Sequence, residues 1–284
     1  MATPAAVAAS DASASRPVLA EGEPEDGRAF LRMEHVDVAR GEAVMLQDIN
    51  LSIDAGEHVA ILGPNGCGKS TLIKAITAEC YPIAQPGSTM RLFGRARWDV
   101  SQLRRHLGVV SADLPGERTP VTRGLEAVVA GYFSASMLWP NLLVTDQMWA
   151  TAGQALERMN AGHLAGKPVG EMSAGEQRRV MIARALVHQP RVLLLDEPSN
   201  ALDLAAQREL RQSLRGVARQ GTGIVMVTHH LADILPEVDR MILMKQGRIF
   251  ADGRKSDLIK PAVLRQLFGV PLELVERDGF WHSW

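Results

Sequence analysis

The stretch Val59-Ala-Ile-Leu-Gly-Pro-Asn-Gly-Cys-Gly-Lys-Ser-Thr71 decides the fold. Its first four residues are apolar without alternation, the pattern of a strand buried on both faces of a parallel sheet. Gly63, Pro64, Asn65, Gly66, Cys67, Gly68, Lys69, Ser70 and Thr71 then fit the spacing G-x-x-x-x-G-K-[ST]. A helical pattern over 69–79 follows. Glycines let the backbone N–H groups of such a loop turn toward phosphates, and the helix N-terminus adds a favourable dipole. Lys69 suits the β- and γ-phosphates of a nucleotide, and the Ser70 hydroxyl suits Mg²⁺.

Two further apolar runs, 192–195 and 224–227, have the same buried character. Ligands of open α/β sheets sit at the carboxyl ends of strands, and three polar groups fall there. Asp196 suits a Mg²⁺ shell through water, and Glu197 suits polarising an attacking water. His229, in Thr228-His-His230, leaves the sheet on the same edge and suits sensing a γ-phosphate; His230 reads as a structural neighbour. Taken alone, Asp-Glu-Pro and a strand-end histidine are also ordinary structural punctuation. A helix is expected over 201–220, with Leu210, Leu214 and Val217 on one face and Gly221 as its stop.

Ser173-Ala-Gly-Glu176 opens a helix that runs to about 188. Ser173 and Glu176 have the spacing of a capping box. The free N–H groups, the hydroxyl and the positive dipole end also make an anion site, so one chain carries two phosphate-binding helix ends.

Around these motifs the organisation is simple. Residues 1–27 hold small residues, prolines and the acids Glu21, Glu23, Glu25 and Asp26, and are expected to be a disordered leader. Patterns over 31–38 and 49–53, with a turn at 54–56, suggest a small antiparallel sheet. Residues 113–172 read as helical, with helices at 121–132 and 146–160, the second capped by Thr145 and stopped near Gly162. The nucleotide-binding domain is placed at 28–258 and a C-terminal extension at 259–284. A net charge of −1 speaks against wide non-specific contact with nucleic acid. Two cysteines, Cys67 and Cys80, imply no disulfide framework and a reducing compartment. Cys67, at a helix start beside Lys69, is expected to favour its thiolate. No apolar run reaches the roughly 20 residues that span a bilayer, so spanning would fall to another chain.

The phosphate loop, Met172-Ser-Ala-Gly-Glu-Gln-Arg-Arg-Val180, Asp196-Glu-Pro198, Ser199-Asn-Ala-Leu-Asp203 and His229 stand in an order that resembles the ATP-binding cassette ATPases. The resemblance covers about 31–257. It implies an α/β P-loop NTPase (RecA-like) core with a small antiparallel β subdomain and an inserted helical subdomain, using ATP and Mg²⁺. It further implies that Ser173 and Gly175 serve the ATP of a second subunit, that Glu197 is the catalytic base and His229 the switch histidine, and that Asp203 crosses the dimer. With one cassette per chain, a homodimer follows.

Three positions depart from the family pattern. Ala174 replaces a glycine, which a negative φ tolerates. The strand-end glutamine aligns near Ala112; either Asp113 takes its role or the role is lost. The adenine-stacking aromatic aligns near Arg40, whose guanidinium either stacks on the base or points into solvent. Among the family's branches, the chain best resembles an importer-type ATPase subunit on the cytoplasmic face of a membrane. Its helical insertion, near Tyr132 and Trp139, would offer a groove to a permease. The alternative is a single-cassette ATPase of the iron–sulfur assembly type. A weaker resemblance over 231–238 is to subunits linked with molybdate or iron uptake.

Overall fold

The computed structural model describes residues 28–111 and 121–283. The expected leader over 1–27 and the Ala112 and Asp113 positions lie outside them. Three strands form an antiparallel sheet in the order β2 (Ala43–Asp54), β1 (Ala29–Arg40), β4 (Thr89–Leu92). The second sheet runs β5 (Leu107–Val110), β6 (Val192–Asp196), β7 (Gly223–Thr228), β3 (His58–Leu62), β8 (Arg240–Lys245), β9 (Arg248–Arg254). Its first five strands are parallel and β9 is an antiparallel edge.

Both faces of the central strands are covered, which explains runs without alternation. Val59 and Ile61 of β3 face a core shared with β1, β2 and α1 (Lys69–Ile76). Ala60 and Leu62 face the opposite core, shared with α4 (Asp146–Arg158), α5 (Ala174–Leu186) and α6 (Leu204–Arg219).

Where the helices differ from expectation, backbone partners explain it. The helix expected over 121–132 is α3 (Gly124–Val129) followed by a 3₁₀ turn, Ala130–Phe133. Arg123 is held extended by a bridge to Pro168, so it cannot be helical. Gly131 then passes so close to α5 that a Cβ would stand 2.7 Å from the Arg184 carbonyl oxygen. The helix expected from 201 begins at Leu204, because Ala201 is left-handed at φ 62° and Asp203 caps the helix. Residues 134–143 are neither helix nor strand.

The chain closes with α7 (Lys255–Leu258), α8 (Pro261–Phe268) and a hairpin of β10 (Leu274–Arg277) and β11 (Phe280–Ser283). Leu264 and Leu267 of α8 are buried, and Phe280 and Trp281 pack against the same core. This segment therefore adds to the body of the molecule.

Candidate functional site

The phosphate loop is shaped by close approach. Gly68 has φ 106°, and a Cβ there would lie 2.8 Å from Leu46 Cδ2. At Gly63 a Cβ would stand 2.4 Å from the Met244 carbonyl oxygen. Only glycine meets both demands. The loop is tied down by the β8–β9 turn: Gly247 N–H donates to the Cys67 carbonyl at 3.0 Å, and Gln47 N–H of β2 donates to the Gly247 carbonyl at 2.8 Å.

Lys69 is folded back into its own loop. Its Nζ donates to the carbonyl of Gly63 at 2.7 Å and of Pro64 at 3.2 Å. The neighbouring Ser70 is exposed and Thr71 is buried. Register places the strand ends side by side, Leu62 opposite Thr228 and Asp196 opposite Val227. Just past β6, Glu197 has a left-handed backbone, φ 47°, fixed by its N–H donating to the Val227 carbonyl at 2.8 Å. A non-glycine residue held there is strained, and such strain gathers at functional sites.

That backbone turn sets the Glu197 carboxylate between the Lys69 ammonium and the His229 ring. Oε1 is 4.0 Å from Lys69 Nζ and Oε2 is 2.5 Å from His229 Nδ1. The latter approach is close but off the direction of a hydrogen bond, so buried Nδ1 makes no well-aligned one. The His230 ring packs on His229 with centroids 3.8 Å apart. Lys69, Glu197 and His229, chosen from separate motifs, thus meet at one sheet edge, with Asp196 one residue behind.

A second cluster forms where α5 and α6 begin. The Ser173 hydroxyl accepts from Glu176 N–H at 3.3 Å, and Glu176 Oε2 accepts from Ser173 N–H at 2.7 Å. Burial alone would raise the Glu176 carboxyl. Hydrogen bonds from Lys167 and Ser173 outweigh it and hold the group below the usual carboxylate range. Gly175 is buried, and a Cβ on it would meet Ala206 Cβ at 2.6 Å. Asp203 Oδ1 accepts from Ala206 N–H at 2.8 Å. Ser173, Gly175 and Asp203 are therefore one packed unit. Ala174 keeps a negative φ, as its departure from glycine requires. Arg40 is exposed at the end of β1, opposite Ala43.

Cys67 corrects one expectation. Its side chain is buried among the phosphate loop's core contacts, and that desolvation pushes the thiol up, outweighing Lys69. A thiol held above its ordinary value carries less thiolate at neutral pH and reacts more slowly. Under limiting iodoacetamide at pH 7.5, alkylation is therefore expected at half-buried Cys80 before Cys67, read by peptide mass spectrometry; the reverse order would contradict the burial.

The groove opens beside Tyr132, one of the two aromatic residues near which it was expected. A cleft of about 340 Å³ opens between β5 and α5, lined by Arg104, Val109, Gly131, Met181, Arg184 and His188. Tyr132 lies between the lining residues Gly131 and Ser134, its ring 5.0 Å from that of His188, and Trp139 is not in the wall. Arg184 joins the walls by donating to the carbonyls of Ala127 at 2.9 Å and Ala135 at 2.7 Å. Sequence reading did not name the lining residues, because they come from four separate elements and have no linear pattern. It also missed buried Asp233, whose Oδ2 accepts from Thr228 Oγ1 at 2.8 Å. An acid five residues past a strand end is the signal that could have found it.

Comparison with known proteins gives the family. Residues 46–200 match the family described as ABC transporter. The hemin import ATP-binding protein HmuV of Hahella chejuensis is 35% identical over 242 residues, covering 83% of this chain and 91% of the relative. The solved structure of cbiO1 from Clostridium perfringens, part of the ABC transporter complex cbiONQ, superposes with a TM-score of 0.71 at 28% identity, covering 84% and 94% of the two chains. The dimeric structure of MJ0796, a bacterial ABC transporter cassette, gives a TM-score of 0.65 at 26% identity, covering 79% of this chain and 98% of that one.

Proposed function

The chain belongs to the ABC transporter family, and on that premise we propose how its residues divide the work of an ATP-driven importer subunit. An ATP-binding cassette binds and hydrolyses ATP. The observation that carries the assignment of roles is the meeting of Lys69, Glu197 and His229 at the carboxyl edge of the parallel sheet. Lys69 donates to its own loop carbonyls, and a γ-phosphate would offer it a stronger, charged acceptor. Glu197 would accept the proton of the attacking water, with His229 holding the γ-phosphate from the far side.

Mg²⁺ fits the donor set. The Ser70 hydroxyl is exposed at the loop and Asp196 ends β6 at the same edge, two oxygen donors of the kind that bind this hard cation beside phosphate and water. Among the described residues no group of three or more His, Cys, Asp or Glu could hold a metal alone, so these two residues would share it with the nucleotide. The bound cation would neutralise charge across the β- and γ-phosphates. Ser173, Gly175 and Asp203 would face the ATP of a second copy. Arg40 would lie against the adenine.

No helix among the described residues is long and apolar enough to cross a membrane. A separate permease subunit would therefore carry the path, seated in the cleft between β5 and α5. The names of the relatives favour this reading over an iron–sulfur assembly ATPase, and point to a metal-chelate cargo of the hemin class. Met181→Glu places a charge in the cleft, at a residue outside the Lys69, Glu197 and His229 cluster. The variant is expected to retain the isolated chain's ATP hydrolysis and to lose copurification with a coexpressed permease subunit. Retained copurification would move the permease contact elsewhere.

A further inference from the structure

Nothing in the roles above uses the C-terminal hairpin, yet contacts lead from it to the site. Its tip turns at Gly279, φ 79°, which lies so near Pro236 that a Cβ would stand 3.0 Å from Pro236 Cγ. Strand β11 lies along the 3₁₀ turn Leu231–Asp233, the segment that directly follows the two histidines. Phe280 faces the guanidinium groups of Arg211, 5.3 Å from its ring centroid, and Arg215, 5.9 Å away. Arg211 in turn donates to the Ala232 carbonyl at 3.2 Å, and Arg215 pairs with Glu237 at 2.8 Å.

The turn is also fastened from inside. Asp233 is 3% exposed, a position where an acid is costly without partners. Its carboxylate accepts from the Thr228 hydroxyl at 2.8 Å, and that hydroxyl accepts from His230 N–H at 3.0 Å. Asp233 N–H closes the turn on the His230 carbonyl at 3.3 Å. His229 is therefore suspended between two points, Thr228 and His230, that both answer to the 231–233 turn. Its ring packs on that of His230 and its Nδ1 lies 2.5 Å from Glu197 Oε2, so the backbone at these two points sets how the ring meets Glu197.

We propose that the C-terminal hairpin is a positioning element of the hydrolytic site, in which Phe280, through Arg211 and the 231–233 turn, fixes His229. The inference rests on the role of His229 proposed above. Phe280 and Arg211 are positioning residues, far from the nucleotide in the chain of contacts. Couplings of this kind change a rate by roughly 2- to 30-fold. Loss of the Phe280 ring is expected to act on turnover and leave ATP affinity alone, because the phosphate loop is braced independently by Gly247.

The test compares full-length wild type, Phe280→Ala and Phe280→Tyr by steady-state kinetics, thermal melting and the histidine ring signals in NMR, with His229 assigned from a His229→Gln spectrum. Phe280→Ala is expected to lower kcat by about fivefold at unchanged KM. The His229 signal should shift or broaden while that of His163, on the helical insertion, stays in place, and Phe280→Tyr should behave as wild type. Arg211→Gln keeps the hairpin's apolar packing and should change kcat and the His229 signal in the same direction, which covers the case of Phe280→Ala failing to fold. Wild-type kcat in both variants, or a fall in kcat that tracks melting temperature with the His229 signal unmoved, overturns the proposal. A wild-type chain that hydrolyses no ATP, or a His229→Gln chain with full turnover, overturns the underlying role of His229 and the proposal with it. The two failures are distinguishable because only the second involves His229 itself.

Discussion

Glu197→Gln is expected to lower ATP turnover by at least about 10²-fold while leaving ATP bound. The amide keeps the shape of the carboxylate and loses the ability to accept a proton from water. Glu197 is the residue whose left-handed backbone sets a carboxylate 4.0 Å from Lys69 Nζ and 2.5 Å from His229 Nδ1. Removing its charge takes away a competitor for the Lys69 ammonium, so phosphate should bind Lys69 at least as well as before. The variant should consequently accumulate as an ATP-dependent dimer, visible as an earlier elution in size-exclusion chromatography with MgATP. Near-normal turnover in a preparation free of other ATPases would remove Glu197 from the role of base.

The route to that residue shows where sequence sufficed. Strands β3, β6 and β7 were legible because burial on both faces leaves an unbroken apolar run, and the polar residue ending each run must then fall on one edge. The Ser173 cap was legible because its partner, Glu176, lies within a single helical turn. Three kinds of feature were not. Strand β5 has only the four residues Leu107–Val110, one of them glycine, and follows α2 (Val100–His106) without a break. The reactivity of Cys67 depends on packing from β2 and β8, which its neighbours in sequence do not report. Helix starts moved by up to three residues where a partner from afar, such as Pro168 against Arg123, held the backbone extended.

Lys69→Ala and Ser173→Arg are each expected to lose most ATP hydrolysis when pure, by about 10²-fold or more, and to recover part of it when mixed. The first removes the cation that would hold the β- and γ-phosphates. The second puts a long cation where a small hydroxyl caps α5, and it lies on the other cluster, with Gly175 and Asp203. If each composite site takes its phosphate loop from one chain and its capped helix from the other, a heterodimer holds one intact site. The Ser173→Arg chain supplies the loop and the Lys69→Ala chain supplies the cap. Coupling between two sites can keep the recovered rate low, so ATP-dependent heterodimer formation is the cleaner measurement. Specific activity of the wild type should also rise with protein concentration. Flat specific activity, together with a mixture that stays monomeric in ATP, would sink the shared-site mechanism.

The contact between Gly175 and Ala206 leaves no room for even one methyl group, since a Cβ on the glycine would lie 2.6 Å from that of Ala206. Ala206 also donates its N–H to Asp203, so the beginnings of α5 and α6 are geared together. In the proposed dimer neither residue at this contact touches the nucleotide held by its own chain. Natural selection would therefore feel a bulkier residue at 206 as a fault in the neighbouring copy. In a mixed population of subunits such a chain would spoil one of the two sites in each dimer it joins, a site whose phosphate loop another chain encodes.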